Sequence, residues 1–308
     1  MCDVSTLIVN WNTRDLLHRC LSSLYRSDPR ANMEIIVVDN SSGDGSGEMV
    51  AKEFPGVTLI KNKENLGFAR ACNQAIRRAR GNFLLLLNSD AEVCNGSLDT
   101  MVSFMEKNQS VAAAGCKLLN SDGSLQRSHW DRFPSVRDAF TENLYLYRMP
   151  IGRKPAPAAA PSALENSAID VAHLLGACVI IRKEALADVG LFDEDYFMYL
   201  EETDWFYRAR AKGWRVCYVP SAEVIHHGQQ SSNLDPARAV PYLSKSYCHF
   251  IRKHHGKRRV PAVKAAFASG ALVRICLWTK RWLSGPDKGL ARGMLIAYSN
   301  VLRDIWQA

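Results

Sequence analysis

Two near-continuous apolar runs each end in an acid. Glu34-Ile35-Ile36-Val37-Val38 leads into Asp39-Asn40, and Phe83-Leu84-Leu85-Leu86-Leu87 leads into Asn88-Ser89-Asp90. Unbroken apolar stretches of this length read as strands covered on both faces, the habit of parallel sheets. Ligands bind beyond the carboxyl ends of such strands, so both acids are candidates for one pocket. Between these runs the period changes from two to 3.6. A strand over Ser5 to Asn10 precedes a helix from about Thr13 to Arg26, with Leu16, Leu17, Cys20, Leu21 and Leu24 on one face. After Asp39 a glycine- and serine-rich loop and a short helix are expected. A strand over Val57 to Lys61 then leads through Asn65-Leu66-Gly67 into a helix over Phe68 to Arg80, and a further helix covers Ser97 to Lys107. Repeated β-α units predict a doubly wound α/β fold.

The second half is less regular. Strands are expected over Val111 to Leu119, Val171 to Ile181 and Arg215 to Val219, and helices near Lys183 to Val189 and over Glu201 to Gly213. A Pro/Ala-rich stretch within about 150–168 reads as a mobile loop. Beyond Pro236 the pattern is helical and basic. These shifts predict one domain over 1–235 and a basic, amphipathic helical region over 236–308.

Hydrophobic residues make up 47% of the 308 positions, which excludes global disorder. The net charge of +8 gathers after Lys245, in residues such as Arg252, Lys253, Lys257, Arg258 and Arg259, and suggests a phosphate-bearing surface. Nine cysteines without CxxC pairs argue against a zinc site or a disulfide scaffold. A strand beginning at Val4 leaves no room for a signal peptide. The apolar stretch Ala265 to Thr279 is interrupted by Arg274, so it is expected to touch a membrane rather than span it. A cytoplasmic protein, held at the cytoplasmic face of the inner membrane, is the expectation.

The candidate chemistry follows the strand ends. Asp39 and Asp90 could simply cap helices, but two of them in β-α units, each near Asn, point to a nucleotide and a divalent cation. Glu201, Glu202 and Asp204 lie between aromatic runs, where loss of water raises a carboxyl pKa towards that of a general base. His226, in His226-His227-Gly228, would add an imidazole suited to manganese. The turn Asn65-Leu66-Gly67-Phe68-Ala69-Arg70 can cradle phosphate at a helix start.

Together these motifs resemble family 2 glycosyltransferases of GT-A fold, within them a bacterial rhamnosyltransferase-like branch. The resemblance rests on Ile8-Val9-Asn10-Trp11-Asn12, Val37-Val38-Asp39-Asn40-Ser41-Ser42, Asn65-Leu66-Gly67-Phe68, Leu87-Asn88-Ser89-Asp90, Gly190-Leu191-Phe192-Asp193-Glu194, Glu201-Glu202-Thr203-Asp204 and His226-His227-Gly228, in that order. It implies a Rossmann-like, mostly parallel sheet flanked by helices, with a C-terminal helical extension. It further implies an inverting, metal-dependent transfer of a sugar in cell-envelope polysaccharide synthesis. The donor would be a nucleoside-diphosphate sugar, dTDP-rhamnose being favoured. The acceptor would be a saccharide or a polyprenyl-diphosphate-linked saccharide, and Mg2+ or Mn2+ the cofactor. By the same resemblance Asp39 holds the nucleoside, and Asp90 and His226 the metal. Glu202 is the base, with Glu201 and Asp204 as competitors. Val9, Asn10, Asn12, Asn65, Gly67, Arg70, Asn88 and Ser89 complete the donor site. Asn88 departs from the family pattern, which has an acid there. A sugar nucleotidyltransferase and an inactive sugar-nucleotide-binding relative are the alternatives. No nucleic-acid-binding pattern accompanies the basic tail.

Overall fold

The computed structural model describes residues 3–27, 29–145, 167–228, 236–285 and 288–306. The Pro/Ala-rich stretch within 150–168 lies mostly outside the described residues. The first four strands are β1 (Val4–Asn10), β2 (Met33–Asp39), β3 (Thr58–Lys61) and β4 (Phe83–Leu87). They pair in parallel in the order β3-β2-β1-β4. Helices α1 (Arg14–Ser27), α2 (Ser46–Glu53) and α3 (Phe68–Arg78) make the crossovers. The apolar face expected on α1 forms, with Leu17, Cys20, Leu21 and Leu24 fully buried in one cluster with Ile8, Val37 and Leu85. Burying each such large side chain contributes roughly 1.5–3 kcal/mol.

Beyond β4 the sheet is mixed. It continues β11-β6-β12-β5, where β5 is Ala91–Val93, β6 is Val111–Leu119, β11 is Cys178–Arg182 and β12 is Arg215–His226. Strand β11 runs antiparallel to both β4 and β6, β12 runs parallel to β6, and β5 pairs antiparallel with β12. Helix α4 (Ser97–Lys107) covers this half, the short strands β7 (Leu125–Gln126) and β9 (Ile169–Asp170) pair with β6 and β12, and β8 (His129–Trp130) and β10 (His173–Leu174) lie outside the main sheet. A mostly parallel sheet therefore holds for the first half only.

Two strands differ from expectation. The apolar run Val171 to Ile181 is split: β10 pairs with β8 in a separate small sheet, and β11 lies in the main one. The switch occurs at Leu175-Gly176-Ala177, where Leu175 donates to the Ser128 carbonyl and Ala177 accepts from the Asn88 N–H at 2.9 Å. Strand β12 runs on to His226, well past Val219, because a bulge between Val219 and Glu223 absorbs Pro220. The helices expected after these strands form as α6 (Lys183–Val189) and α7 (Glu201–Ala211).

Contacts divide the chain into two compact units. The first takes the described residues within 1–133, 160–195 and 201–231; the second takes those within 134–159, 196–200 and 232–308. The second unit is helical, with α5 (Val136–Asn143), α8 (Pro236–His255), α9 (Val260–Ser284) and α10 (Lys288–Asp304). Arg274 does not interrupt α9. Its guanidinium donates to the Asn143 carbonyl at 2.7 Å and lies over the Tyr145 ring, so the charge faces α5. The helical stretch Lys257–Ser284 is consequently long and apolar enough to cross a membrane by length and composition, which the interrupted run in the sequence did not suggest.

One buried cation ties the main sheet to α4. Arg182 is 7% exposed, and its guanidinium donates to the carbonyls of Val111, Met105 and Asn108, the last two at the C-terminal end of α4. Cations at helix C-termini satisfy orphan carbonyls. Arg182→Met keeps the stem and strands these carbonyls, and is expected to cost about 2–4 kcal/mol. Urea unfolding checks this; a loss below ~0.5 kcal/mol, the scale of an ordinary surface change, would contradict it.

Candidate active site

The parallel register sets Asn10 opposite Asp39 and Val9 opposite Val38, so the ends of β1 and β2 lie side by side. Asn10 Nδ2 donates to Asp39 Oδ1 at 3.2 Å and to Ser42 Oγ at 3.0 Å. Thr13 Oγ1 donates to Asn10 Oδ1 at 2.7 Å and lies 2.8 Å from Ser89 Oγ, joining the end of β1 to that of β4. Asn12 bridges back, its backbone N–H donating to Ser42 Oγ and its Oδ1 accepting from the Gly43 N–H. On the far side Asn40 Nδ2 donates to Asn65 Oδ1 at 2.8 Å and to the Gly67 carbonyl. Gly67 has φ +82 at the start of α3, a conformation that glycine takes without strain. Asn10, Thr13, Asp39, Asn40 and Ser89 are all buried, yet each belongs to this hydrogen-bonded ring. Thr13, Asn40 and Ser42 are members that sequence reasoning missed. Arg70 faces elsewhere: it is exposed and ion-paired with Glu194 at 3.7 Å.

A second group gathers at the end of β4. Ladder pairing of His226 with Ala91 brings the imidazole next to Asp90, with Nε2 3.3 Å from Asp90 Oδ1. The Asn88 amide lies 3.3 Å from the same nitrogen. A carboxylate, an imidazole and an amide within one hydrogen-bond radius are oxygen and nitrogen donors, a set that fits Mn2+ or Mg2+ and does not suit a thiolate-seeking metal. The neighbouring His227 ring instead bridges Glu92 Oε1 at 2.9 Å and Ser121 Oγ at 2.7 Å.

The acids of α7 divide by environment. Asp204 is fully buried and paired with Arg208 Nε at 2.8 Å, while the same guanidinium donates to the carbonyls of Val189 and Leu191. Glu201 is 4% exposed, and burial followed by repulsion from Glu202 pushes its carboxyl well above the usual range. Its charge in turn helps burial to raise the Cys72 thiol. Glu202 is held at one oxygen, Oε1, which accepts from the Gly176 N–H at 3.3 Å. Its other oxygen is buried and has no hydrogen-bond partner. Burial raises this carboxyl too, against backbone donors that lower it. Gly176 allows the approach, since a Cβ there would stand 3.3 Å from Glu202 Cδ. The next residue, Ala177, accepts from Asn88, so Glu202 is tethered one residue from the end of β4.

Backbone strain concentrates at the same places. Among the described residues five non-glycine positions have positive φ, and four of them are Asn12, Ser41, Tyr199 and Leu200. The first two follow β1 and β2, and the last two immediately precede Glu201. Such conformations cost on the order of 1–3 kcal/mol each and cluster at functional sites.

Known proteins resemble this chain in sequence and in fold. One relative, the N-acetylglucosaminyl-diphospho-decaprenol L-rhamnosyltransferase of Mycobacterium tuberculosis, is 30% identical over 279 residues, 85% of this chain and 88% of its own. The rhamnosyltransferase WbbL of Escherichia coli is 23% identical over 257 residues, 81% of this chain and 93% of its own. Among solved structures, the mannosyltransferase PcManGT of Pyrobaculum calidifontis, in complex with GDP-Man and Mn2+, covers 99% of this chain and 87% of its own, with a TM-score of 0.55 and 19% identity. That likeness shows the GT-A-like fold. Residues 5–190 match the sequence profile of Glycosyl transferase family 2, and the chain belongs to that family of glycosyltransferases.

Proposed function

We propose that this enzyme transfers rhamnose from dTDP-rhamnose to a polyprenyl-diphosphate-linked saccharide, with inversion at the anomeric carbon. The observation that carries the reaction type is the state of Glu202. One carboxylate oxygen accepts from the Gly176 N–H, the other is buried, and burial raises the carboxyl towards the range of a general base. The relatives' names favour the rhamnosyl donor, and the decaprenyl-diphosphate of the mycobacterial relative favours the lipid-linked acceptor.

The residues divide the work. Asp39, with Asn10, Asn12 and Val9 around it, receives the nucleoside at the ends of β1 and β2. Asn65 and Gly67 shape the turn that faces it. Asp90 and His226, with Asn88 and Ser89 beside them, would hold Mn2+ or Mg2+. When bound, that ion supplies the positive charge that offsets charge developing on the departing diphosphate. Glu202 removes the proton from the acceptor hydroxyl as oxygen attacks the anomeric carbon from the face opposite the diphosphate. A single displacement with one base inverts the configuration. Asp204, committed to Arg208, and Glu201, enclosed beside Cys72, support the helix that presents Glu202.

The second unit suits a lipid surface. Leu272, Val273, Leu277, Trp282 and Leu283 on α9, and Leu290 and Ile296 on α10, are exposed, and Leu283 is 69% exposed. Lys257, Arg258 and Arg259 precede α9. Apolar side chains flanked by cations bind the interface of anionic bilayers. Such a surface supports a seat at the cytoplasmic face of the inner membrane, where the acceptor would be anchored.

Three outcomes test these assignments. Glu202→Gln keeps the shape and removes the base, so kcat is expected to fall by about 10²–10⁴-fold while donor binding, read by calorimetry, persists. Wild-type turnover in that variant would move the base elsewhere. Glu201 gives a pH signature. Because its folded pKa is raised, the folded chain holds a proton that the unfolded chain releases above about 4.3, and stability falls as pH rises through that window. Glu201→Gln removes this loss, so its melting temperature relative to wild type should climb from pH 5 to pH 8; a constant difference would refute the assignment. Finally, Leu272→Glu with Leu277→Glu and Leu283→Glu in the full chain should abolish co-sedimentation with phosphatidylglycerol vesicles. Unchanged partitioning would sink the membrane contact.

A further inference from the structure

His226 has a second ring nitrogen, and a five-member relay determines what that nitrogen does. Its Nδ1 lies 2.7 Å from Gln126 Oε1. Gln126 Nε2 donates to Asn120 Oδ1 at 3.2 Å, and Asn120 Nδ2 donates to Ser124 Oγ at 2.9 Å. The Ser124 hydroxyl donates to Asp122 Oδ1 at 2.5 Å. The direction of this chain is fixed at its far end. An ionised carboxylate only accepts, so Ser124 must spend its one proton on Asp122. Its oxygen can then only accept, which turns the Asn120 amide nitrogen towards it and the Asn120 oxygen towards Gln126. Gln126 is oriented in the same way, with its oxygen facing His226. The ring must therefore donate from Nδ1. The hydroxyl and backbone N–H of Ser124 hold the Asp122 carboxyl below its usual range, keeping the anchor ionised.

We propose that Gln126 is a positioning residue that keeps the proton of the neutral His226 ring on Nδ1 and so turns Nε2, the nitrogen left for a cation, towards Asp90 and Asn88. A bare imidazole lone pair 3.3 Å from a carboxylate oxygen is an arrangement that a cation between them would complete. Outer partners of this kind set the tautomer and ring orientation of ligating histidines. The backbone reserves the space: Gln126 pairs with Leu118 through the β6–β7 ladder, and Gly228, at φ +65, would place a Cβ 3.2 Å from Gln126 Nε2. The proposal rests on the reading that Asp90 and His226 hold a divalent cation.

The test uses the full chain labelled with 15N-histidine, as wild type, Gln126→Leu, Gln126→Glu and His226→Ala. In metal-free protein, at a pH where the ring has lost its second proton, long-range 1H–15N correlations should show His226 protonated at Nδ1 and bare at Nε2. Gln126→Leu should lose that pattern and Gln126→Glu, which still accepts from Nδ1, should keep it. Titration with MnCl2, followed by the electron paramagnetic resonance of free Mn2+, should show affinity lowered about 10–100-fold in Gln126→Leu and restored in Gln126→Glu. A purely structural role would move the metal-free melting curve and leave the tautomer unchanged. Wild-type tautomer and affinity in Gln126→Leu, with affinity lost in His226→Ala, would overturn the positioning role alone. Undiminished Mn2+ binding in His226→Ala would overturn the cation site itself. Should Gln126→Leu fail to fold, Gln126→Asn, shorter by one methylene, withdraws the acceptor and reads the same two quantities.

Discussion

The site depends on a three-residue strand. Pairing of β5 with the end of β12 sets Ala91 against His226, Glu92 against Ile225 and Val93 against Val224, and the His227 N–H adds a bond to the Asp90 carbonyl at 2.9 Å. His226 follows Asn88 by 138 residues, and this ladder is what closes the gap. The cost of closing so long a loop grows only with the logarithm of its length, so the separation is tolerable once the ladder forms. Alternation then does the aiming: Ala222, Val224 and His226 are buried, with Glu223 and Ile225 less so between them. A slip of one residue would turn His226 to the opposite face. The His227 ring, held by Glu92 and Ser121, resists that slip.

Around this ladder two kinds of buried polarity coexist. The ring of Asn10, Thr13, Asp39, Asn40 and Ser89 is hydrogen-bonded throughout, and networks of that kind rigidify. The acids of α7 are treated otherwise. Asp204 is neutralised by Arg208, while Glu201 and Glu202 are each left with an oxygen that has no partner. Burying a carboxyl is unfavourable, and burial raises the pKa of both Glu201 and Glu202. The proposed division of labour follows this contrast, with the donor assigned to the hydrogen-bonded half and the proton to the acids of α7. The positive φ of Tyr199 and Leu200 falls at the junction between helix α7 and the chain that delivers it, where strain is kept in place by its surroundings.

Much of this was legible in the sequence, for reasons that also explain what was not. The strand ends at Asp39 and Asn88 showed themselves because unbroken apolar runs stop there, and α1, α3 and α4 because their periods are clean. The run Val171 to Ile181 hid a change of sheet, since apolar residues suit both the small sheet and the main one, and only Gly176 marked the switch. Pro220 reads as the end of a strand, yet a bulge carries β12 past it to His226. Gln126 gave no local signal. Its meaning lies in a partner 100 residues away, and neither spacing nor composition encodes such a contact. The environments of Glu201 and Asp204 could not be told apart from their shared motif, and differ in the structure through burial beside Glu202 and through pairing with Arg208.

The amide at Asn88 ties these observations together. An acid there would stand within reach of His226 beside Asp90, and two carboxylates in so enclosed a space would raise each other's pKa. With Asn88, an amide, in that place, Asp90 is the acid nearest the His226 ring. A cation held there, as proposed, would gain more from a bound diphosphate than it would beside two acids. Coupling of this kind is reciprocal, so on that reading the donor and the cation would raise each other's affinity by the same factor. On the proposed reading, a pocket with one acid at this place would favour filling by donor and cation together over filling by either alone.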